Sequence, residues 1–288
     1  MPIRELARAK INLTLTVQGR RVDGYHELQS LVTFAEVADE IAFHPGPDLG
    51  VTTVGPFASE IAGTNLVETA LARLHDLGQG LRLGTVVLTK NLPVAAGLGG
   101  GSADAAAVLR AVRTANPDAA DRIAWHDIAV RLGADVPVCL TGKPACMWGI
   151  GDKIEPVTVG LPTLPAVLVN PRVPLSTAHV FAALNAAPAP PARRPELGSN
   201  IHTIEGLLGL MRSLGNDLER PAMALLPVIA DIKAALIAQP GCRLAALSGS
   251  GPTCFGIFSD DRAAAHAAAA LTTAHPRWWI VSTRLAGT

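Results

Sequence analysis

The sequence predicts an α+β chain of two domains, residues 1–155 and 156–288. Three observations predict it. Stretches that alternate like strands and stretches that read as helices are mixed within each half. The 288 residues are 49% apolar and 17% charged, enough to fill one large core or two ordinary ones. No internal repeat points to a solenoid or an array.

Residues 11–17, INLTLTV, alternate strictly. Ile11, Leu13, Leu15 and Val17 share one face, while Lys10, Asn12, Thr14 and Thr16 share the other, which predicts a half-buried strand presenting an amine beside an amide. GRRVDGYHE then reads as a turn-rich loop and LQSLVTFAEVADEIAF as strand. TNLVETALARLHDLG predicts a helix, with Asn65 and Glu68 resembling a capping box and Gly78 as its stop. LRLGTVVLT predicts a strand that feeds a glycine loop, and Ala103 to Val112 a helix with Ser102 near its N-cap. AWHDIAVRLG predicts a short helix that ends at Gly133 and delivers the chain into ADVPV.

In the second half, PAVLVNP predicts a strand and STAHVFAAL a capped helix. AAPAPPARRPE reads as an exposed low-complexity loop. Helical stretches follow around 203–214 and 221–238, and LAALSGSGPTCFGIF reads as two strands joined by a Ser/Gly turn. An alanine-rich helix over 262–273 and a final strand, RWWIVSTRL, close the chain.

Composition narrows the function classes. Lys+Arg and Asp+Glu are both 24, so the formal charge is zero, which argues against the broad basic footprint of nucleic-acid binding. Cys139, Cys146, Cys242 and Cys254 have neither metal-ligand spacing nor a CxxC pair, and read as small buried hydrophobes in a reducing compartment. No segment approaches the ~20 apolar residues of a membrane helix, and MPIRELARAKINLTLTV lacks the apolar run of a signal peptide. The chain reads as soluble and cytoplasmic, with its oligomeric state open.

The chemistry centres on LPVAAGLGGGSADAAAVLRAV, residues 92–112. A strand entering a glycine loop that opens a helix is the local arrangement that holds phosphate, because bare backbone N–H groups approach an anion and the helix N-terminus adds partial positive charge. The Walker form requires Lys-Ser/Thr after the last glycine, whereas Gly101 is followed by Ser102 and Ala103. The Rossmann form is nearly met by Gly97 to Ser102, but a strand ending in an acid should follow the helix. RTANPDAADRIAW is polar and irregular, with Asp118 and Asp121 at about the right distance but on no strand. A Rossmann dehydrogenase and a nucleotide- or RNA-binding module therefore stand beside a kinase as readings of the loop alone.

PVAAGLGGGSADAAA resembles the phosphate loop of the GHMP kinases, the superfamily of galactokinase, homoserine kinase and mevalonate kinase. Pro93, Gly97, Leu98, Gly99 and Ser102 fit its pattern, Pro-x-x-x-Gly-Leu-Gly-x-Gly/Ser-Ser; Ala103 departs from it where many relatives carry a second serine. ARAKINLTL resembles the family's N-terminal strand and LSGSGPTCFGIF its C-terminal glycine motif. GRRVDGYHELQSL, GADVPVCLTG and GNDLE are similar to the branch that phosphorylates the 2-hydroxyl of a cytidine diphosphate-linked methylerythritol on the non-mevalonate route to isoprenoids.

The resemblance implies a two-domain GHMP kinase fold, with an N-terminal ATP-binding domain and a C-terminal ferredoxin-like domain. It implies ATP as co-substrate with magnesium, although no carboxylate is identifiable as a metal ligand. It implies a nucleotide site of Asn65, Pro93, Val94, Ala95, Ala96, Gly97, Leu98, Gly99, Gly100, Gly101 and Ser102. Asp135, by itself a turn residue or cap, becomes the base that takes the hydroxyl proton. Lys10, by itself a lysine snorkelling to water, becomes its partner and stabilises charge developing on the acceptor oxygen. Asn12 is placed at the acceptor hydroxyl. Tyr25 and His26 are placed at the cytidine end, with Phe181 stacking on the base and Thr177 one helical turn before it. Ser248, Gly249, Ser250 and Gly251, otherwise a hairpin turn, supply a second run of N–H groups for the substrate diphosphate or the transferring phosphate. No nucleic-acid or membrane partner is implied.

Overall fold

The computed structural model describes residues 1–78, 80–198 and 200–286, with the side chain of the last left out; the final two residues of the expected second domain lie outside the described residues. The chain forms two compact units that do not follow sequence order. One contains Met1–Ala9, Val37–Val94 and Gly99–Gly142; the other contains Lys10–Glu36, Ala95–Leu98 and Lys143–Thr288. Two long strands, β1 (Ile3–Arg20) and β2 (His26–Pro45), contribute residues to both. The expected division at residue 155 falls inside the second unit.

The first unit adds β3 (Gly50–Val54), α1 (Leu66–Asp76), β4 (Gly84–Thr89), α2 (Gly100–Ala115), α3 (Trp125–Leu132) and α4 (Val136–Thr141). The end of β2 pairs antiparallel with β4 from Glu40↔Thr89 to Pro45↔Gly84, and β3 lies parallel to β4. α2 packs against α1, α3 and α4. It is buried nearly all round, at Ala103, Ala105, Ala106, Ala107, Val108, Leu109, Ala111 and Val112. Alanine explains this, since a helix without bulk lets three neighbours approach closely while keeping the best intrinsic propensity. α1 begins at the predicted cap: Asn65 Oδ1 accepts from the Val67 N–H at 3.0 Å, and Gly78 follows its end at φ +60°.

The second unit adds β5 (Ala145–Gly149), β6 (Lys153–Pro156), β7 (Leu164–Asn170), α5 (Thr177–Leu184), α6 (Ile204–Leu214), α7 (Glu219–Leu225), α8 (Val228–Ile237), β8 (Cys242–Leu247), β9 (Cys254–Phe258), α9 (Asp261–Ala274) and β10 (Trp279–Ala286). The first part of β2 pairs with β5, and β5 with β6. Strands β10, β7, β9 and β8 lie in that order, all antiparallel, with α8 and α9 packed on them. Taken along the chain as β7-α8-β8-β9-α9-β10, this is the split βαβ connectivity of the ferredoxin-like fold. β7 runs through the middle, and its sequence LPAVLVN is therefore apolar on both faces. Val167, Val169, Ile229, Ile232, Leu236, Leu247, Phe258 and Leu271 form the core beneath it. Among the described residues no helix is long and apolar enough to cross a membrane.

Four local expectations need correction. The half-buried strand over 11–17 is covered on both faces from Ala9 to Leu15, and Lys10, Asn12 and Thr14 are 5%, 4% and 3% exposed. Asn12 Nδ2 donates to Ser30 Oγ at 2.8 Å, and Thr14 Oγ1 accepts from the Leu31 N–H at 3.1 Å, so the polar side has partners indoors. Ser102 is not at the N-cap of α2; Gly99 holds that position, with φ +61° and ψ +22°, and Ser102 is the third helical residue. The helix over 221–238 is two helices, because Pro227 pushes Leu226 to an extended conformation, φ −139° and ψ +85°. Lastly, the segment 186–196 exposes most of its residues, but it buries Ala192 and Pro195 and is tied to β1 and β2.

Gly84 opens β4 where a Cβ would collide with the His44 carbonyl oxygen. Gly84→Ala should therefore lower stability by about 1–3 kcal/mol, read as a shift in denaturant midpoint at constant m. An unchanged midpoint would mean that the β2–β4 pairing is looser here than its register implies.

Candidate active site

In the second unit, three chain segments converge through their backbones. The loop stretch Ala95–Leu98 lies against the turn Ser248–Gly251: the Ser248 hydroxyl donates to the Gly97 carbonyl at 3.0 Å, and the Thr253 N–H donates to the Ala96 carbonyl at 3.2 Å. β1 joins them, with the Lys10 N–H donating to the Leu98 carbonyl at 2.8 Å and the Asn12 N–H to Ser248 Oγ at 3.2 Å. A Cβ at Gly97 would stand 2.6 Å from the Ser248 carbonyl oxygen and 2.7 Å from that of Gly251, and its φ is +73°. Only glycine fits both the contact and the dihedral. The room at Gly97 is thus filled by the protein's own backbone.

The GNDLE stretch, quoted above without a role, now has one. Asn216 Nδ2 donates to the carbonyls of Leu247 and Gly249 at 2.9 and 2.8 Å, which fixes the second glycine turn. Asp217 Oδ2 accepts from the Val17 N–H at 2.7 Å, and Leu15 and Asn216 form a parallel bridge, so the same pair of residues also holds β1. Asn12 Oδ1 is buried without a hydrogen-bond partner among the described residues, and a Cβ at Gly249 would stand 3.3 Å from it.

Two pairs of the predicted substrate residues meet in this unit. The rings of His26 and Phe181 lie 4.9 Å apart at 32°. Thr177 Oγ1 and Ser250 Oγ are 2.7 Å apart. Ser176 caps α5 by accepting from the His179 N–H, which puts Thr177 in the first turn and Phe181 one turn on. Phe181 is half-buried against the core and Tyr25 is 61% exposed. Burial, followed by the Arg20 charge, lowers the His26 pKa below its ordinary value, so the ring is neutral near pH 7 with one donor and one acceptor nitrogen.

In the first unit, Pro93 and Val94 lead toward the loop, and α2 departs from Gly99 with no side-chain cap. The N–H groups of its first turn lack intrahelical acceptors, as at any helix start, and the N-cap, Gly99, has no side chain to take their place. Ala103 is buried within that helix. Asp135 is half-buried at the N-cap of α4, whose first turn carries Pro137. Asp135 belongs to this unit and Lys10 to the other.

Sequence reasoning missed a buried ionic cluster behind the loop. Lys90 Nζ donates to Asp39 Oδ2 at 2.5 Å and to Asp104 Oδ2 at 2.7 Å, and the three residues are 3%, 0% and 1% exposed. Asp39 Oδ1 also accepts from the N–H groups of Asn91 and Leu92 at 2.5 and 2.8 Å, which fixes the exit of β4. A Cβ at Gly100 would stand 3.2 Å from Lys90 Nζ. No local signal marks these residues, because they are spread over β2, the exit of β4 and α2. Burial opposes the Lys90 charge, but Asp104 and Asp39 outweigh it and raise its pKa. Burial pushes Asp104 up to about 7 despite Lys90, and its Oδ1 has no hydrogen-bond partner among the described residues. Among the described residues no group of three or more His, Cys, Asp or Glu could hold a metal ion.

Two family profiles match stretches of the chain. The profile of the GHMP kinases N terminal domain covers residues 65–143, and that of GHMP kinases C terminal covers residues 196–277. A 4-diphosphocytidyl-2-C-methyl-D-erythritol kinase of Methylorubrum extorquens is 51% identical, over 97% of this chain and 98% of the relative. One of the same name from Rhodopseudomonas palustris is 46% identical, over 97% and 96%. A crystal structure of 4-(cytidine 5'-diphospho)-2C-methyl-D-erythritol kinase superposes with a TM-score of 0.77 at 35% identity, covering 99% of this chain and 100% of that one.

The Asp104 proton makes a testable contribution. A carboxyl raised in the folded state holds its proton more tightly than in the unfolded chain, so stability falls as pH rises from 3.8 to about 7. Asp104→Asn should remove that slope. Its melting temperature should gain on wild type between about pH 4 and about pH 7. A constant difference across that range would mean that Asp104 is ionised throughout.

Proposed function

Since the chain belongs to the 4-diphosphocytidyl-2-C-methyl-D-erythritol kinase family of the GHMP kinases, we propose that it transfers the γ-phosphoryl group of ATP to the 2-hydroxyl of that cytidyl alcohol. The observation that carries this reading is the glycine loop, entering a 16-residue helix whose N-cap, Gly99, offers no side-chain cap. That is the local chemistry of a phosphate cradle. Within this reading the enzyme is a cytoplasmic, small-molecule kinase on the non-mevalonate route to isoprenoid precursors.

Phosphoryl transfer asks the protein mainly for positioning, charge compensation and a destination for the hydroxyl proton. Residues 93–102 take the nucleotide phosphates, and Asn65, whose Oδ1 is committed to its cap, borders the adenine with its remaining amide group. Asp135 takes the proton from the 2-hydroxyl as the oxygen attacks phosphorus. Lys10 orients both groups and compensates the charge on the acceptor oxygen. Asn12 borders the acceptor, with its buried Oδ1 open to a hydroxyl donor. Magnesium accompanies the nucleotide, and an ion held largely by phosphate oxygens needs only one or two protein carboxylates.

The cytidine end falls to the DGYH turn and α5. Support comes from the His26–Phe181 ring contact, since a neutral imidazole beside a phenyl face offers hydrogen bonding and stacking together. Ser248 to Gly251, bridged to α5 through Thr177 and Ser250, serve the diphosphate. In this division of labour the nucleotide is held mainly by residues 1–155, and the substrate by 156–288 with the 21–27 turn.

Asp135→Asn should lower turnover about 100-fold or more while the KM for ATP stays within about threefold. A folded variant with near-normal turnover would remove Asp135 from the mechanism. Phe181→Ala should cost about 1–3 kcal/mol of cytidyl-substrate binding, roughly 5- to 150-fold in affinity, with ATP binding unchanged. Loss of melting temperature without any change in the substrate's KM would make Phe181 a core residue only.

A further inference from the structure

Within the stretch read as an exposed low-complexity loop, residues 186–195 are bonded to two strands, β1 and β2. The Arg20 N–H donates to the Ala187 carbonyl at 2.8 Å, and Arg20 forms a parallel bridge with Pro188. Gly19 permits this approach: a Cβ there would stand 2.5 Å from the Ala187 carbonyl oxygen and would overlap Ala189 Cβ. Further along, Gln29 Nε2 donates to the Arg193 carbonyl at 2.8 Å, and Arg194 pairs with Glu155 on β6. The segment is a strap laid over β1 and β2.

Its buried anchor is Glu27, a carboxylate only 2% exposed. Oε2 accepts from the Ala192 N–H at 2.8 Å, and Oε1 accepts from Arg21 Nη1 at 2.9 Å. Arg21 in turn reaches both oxygens of Asp23 through Nε, at 3.2 and 3.1 Å, and its N–H donates to the Tyr25 carbonyl at 2.8 Å. Asp23 Oδ1 accepts from the Tyr25 N–H at 3.1 Å. One carboxylate therefore joins the strap to the hydrogen-bonded turn that carries Tyr25 and His26. Successive residues of a strand point to opposite faces, so Glu27 works from behind while His26 faces Phe181.

We infer that Glu27 is a positioning residue: with the 186–195 strap, it holds the DGYH turn in the one pose that presents Tyr25 and His26 to a pyrimidine nucleoside diphosphate. The inference rests on the proposed cytidyl-alcohol kinase reading. Its physical basis is that both oxygens accept hydrogen bonds. Glutamine keeps the shape but turns an NH₂ toward either the Ala192 N–H or the Arg21 guanidinium, placing donor against donor in a buried site. The turn is then released from the strap and samples other poses, which lowers apparent affinity by the fraction that remains competent.

The test uses the full chain with ATP and the cytidyl substrate. Glu27→Gln should raise the cytidyl substrate's KM about tenfold, with kcat and the KM for ATP within about twofold of wild type. Gly19→Ala, which displaces the strap without touching Glu27, should do the same. A third measurement needs no variant. Trypsin can cut after Arg193 but not after Arg194, which precedes Pro195; if substrate binding requires the strap in place, cytidyl substrate at about ten times its Kd should slow that cut about tenfold, and an ATP analogue should not. Should Glu27→Gln fail to fold, the other two measurements decide. A wild type that turns over the cytidyl substrate, with Gly19→Ala showing an unchanged KM and no protection at Arg193, overturns the inference and leaves the function standing. A wild type that ignores the cytidyl substrate overturns both.

Discussion

The backbone contact between Ala95–Leu98 and Ser248–Gly251 is the constraint on which the arrangement of the second unit's functional residues depends. These stretches are about 150 positions apart in the chain, yet they exchange hydrogen bonds through Ser248, Ala96 and Thr253. β1 is bonded to the same cluster by the N–H groups of Lys10 and Asn12. Every group in it is backbone or a short hydroxyl, so its geometry has few rotatable bonds through which to relax. The contact requires glycine at 97 because a side chain would meet two carbonyl oxygens at once. A glycine loop and a glycine turn that each look built for a ligand are thus first built for each other.

Around that contact the supporting residues act in pairs. Asn216 and Asp217 sit next to each other, and one fixes the 247–249 turn while the other fixes β1. Asp39 does the same in the first unit, holding Asn91 and Leu92 with one oxygen and Lys90 with the other. A buried carboxylate with two separate donor sets ties two elements through one side chain, and removing either donor leaves a desolvated oxygen behind. Glu27 repeats the device at the DGYH turn. These acids sit behind the residues assigned to ligands, which is where rigidity is needed if the facing side chains are to keep their geometry.

The cost of this construction is visible in Asp104. Two carboxylates share one lysine in a site that is almost entirely closed to water, and burial holds one proton on the cluster up to about neutral pH. Gly100, the first residue of the helix opened by the glycine loop, stands against that lysine. The backbone of the loop is therefore backed by charge that is neutralised internally.

The sequence by itself determined the class of the fold, most of its elements and the two glycine motifs that meet in the second unit. Periodicity placed β1, α1, β7, α6 and α9 because apolar spacing and caps such as Asn65 act within a few residues. The glycine loop and SGSGPT were legible as motifs because their conformations need residues without side chains. Tertiary structure alone decided what each polar group meets. Ser102 lost the N-cap because Gly99 adopts a left-handed conformation one residue before the helix starts. The polar face of β1 went indoors because Ser30 and the Leu31 N–H wait there as partners. The 186–195 segment became a strap because Gly19 and Glu27, about 170 residues earlier, receive it. Local patterns record the polarity of a residue and the dihedrals it tolerates; burial and partnership are properties of residues far apart in the chain, and only folding brings them together.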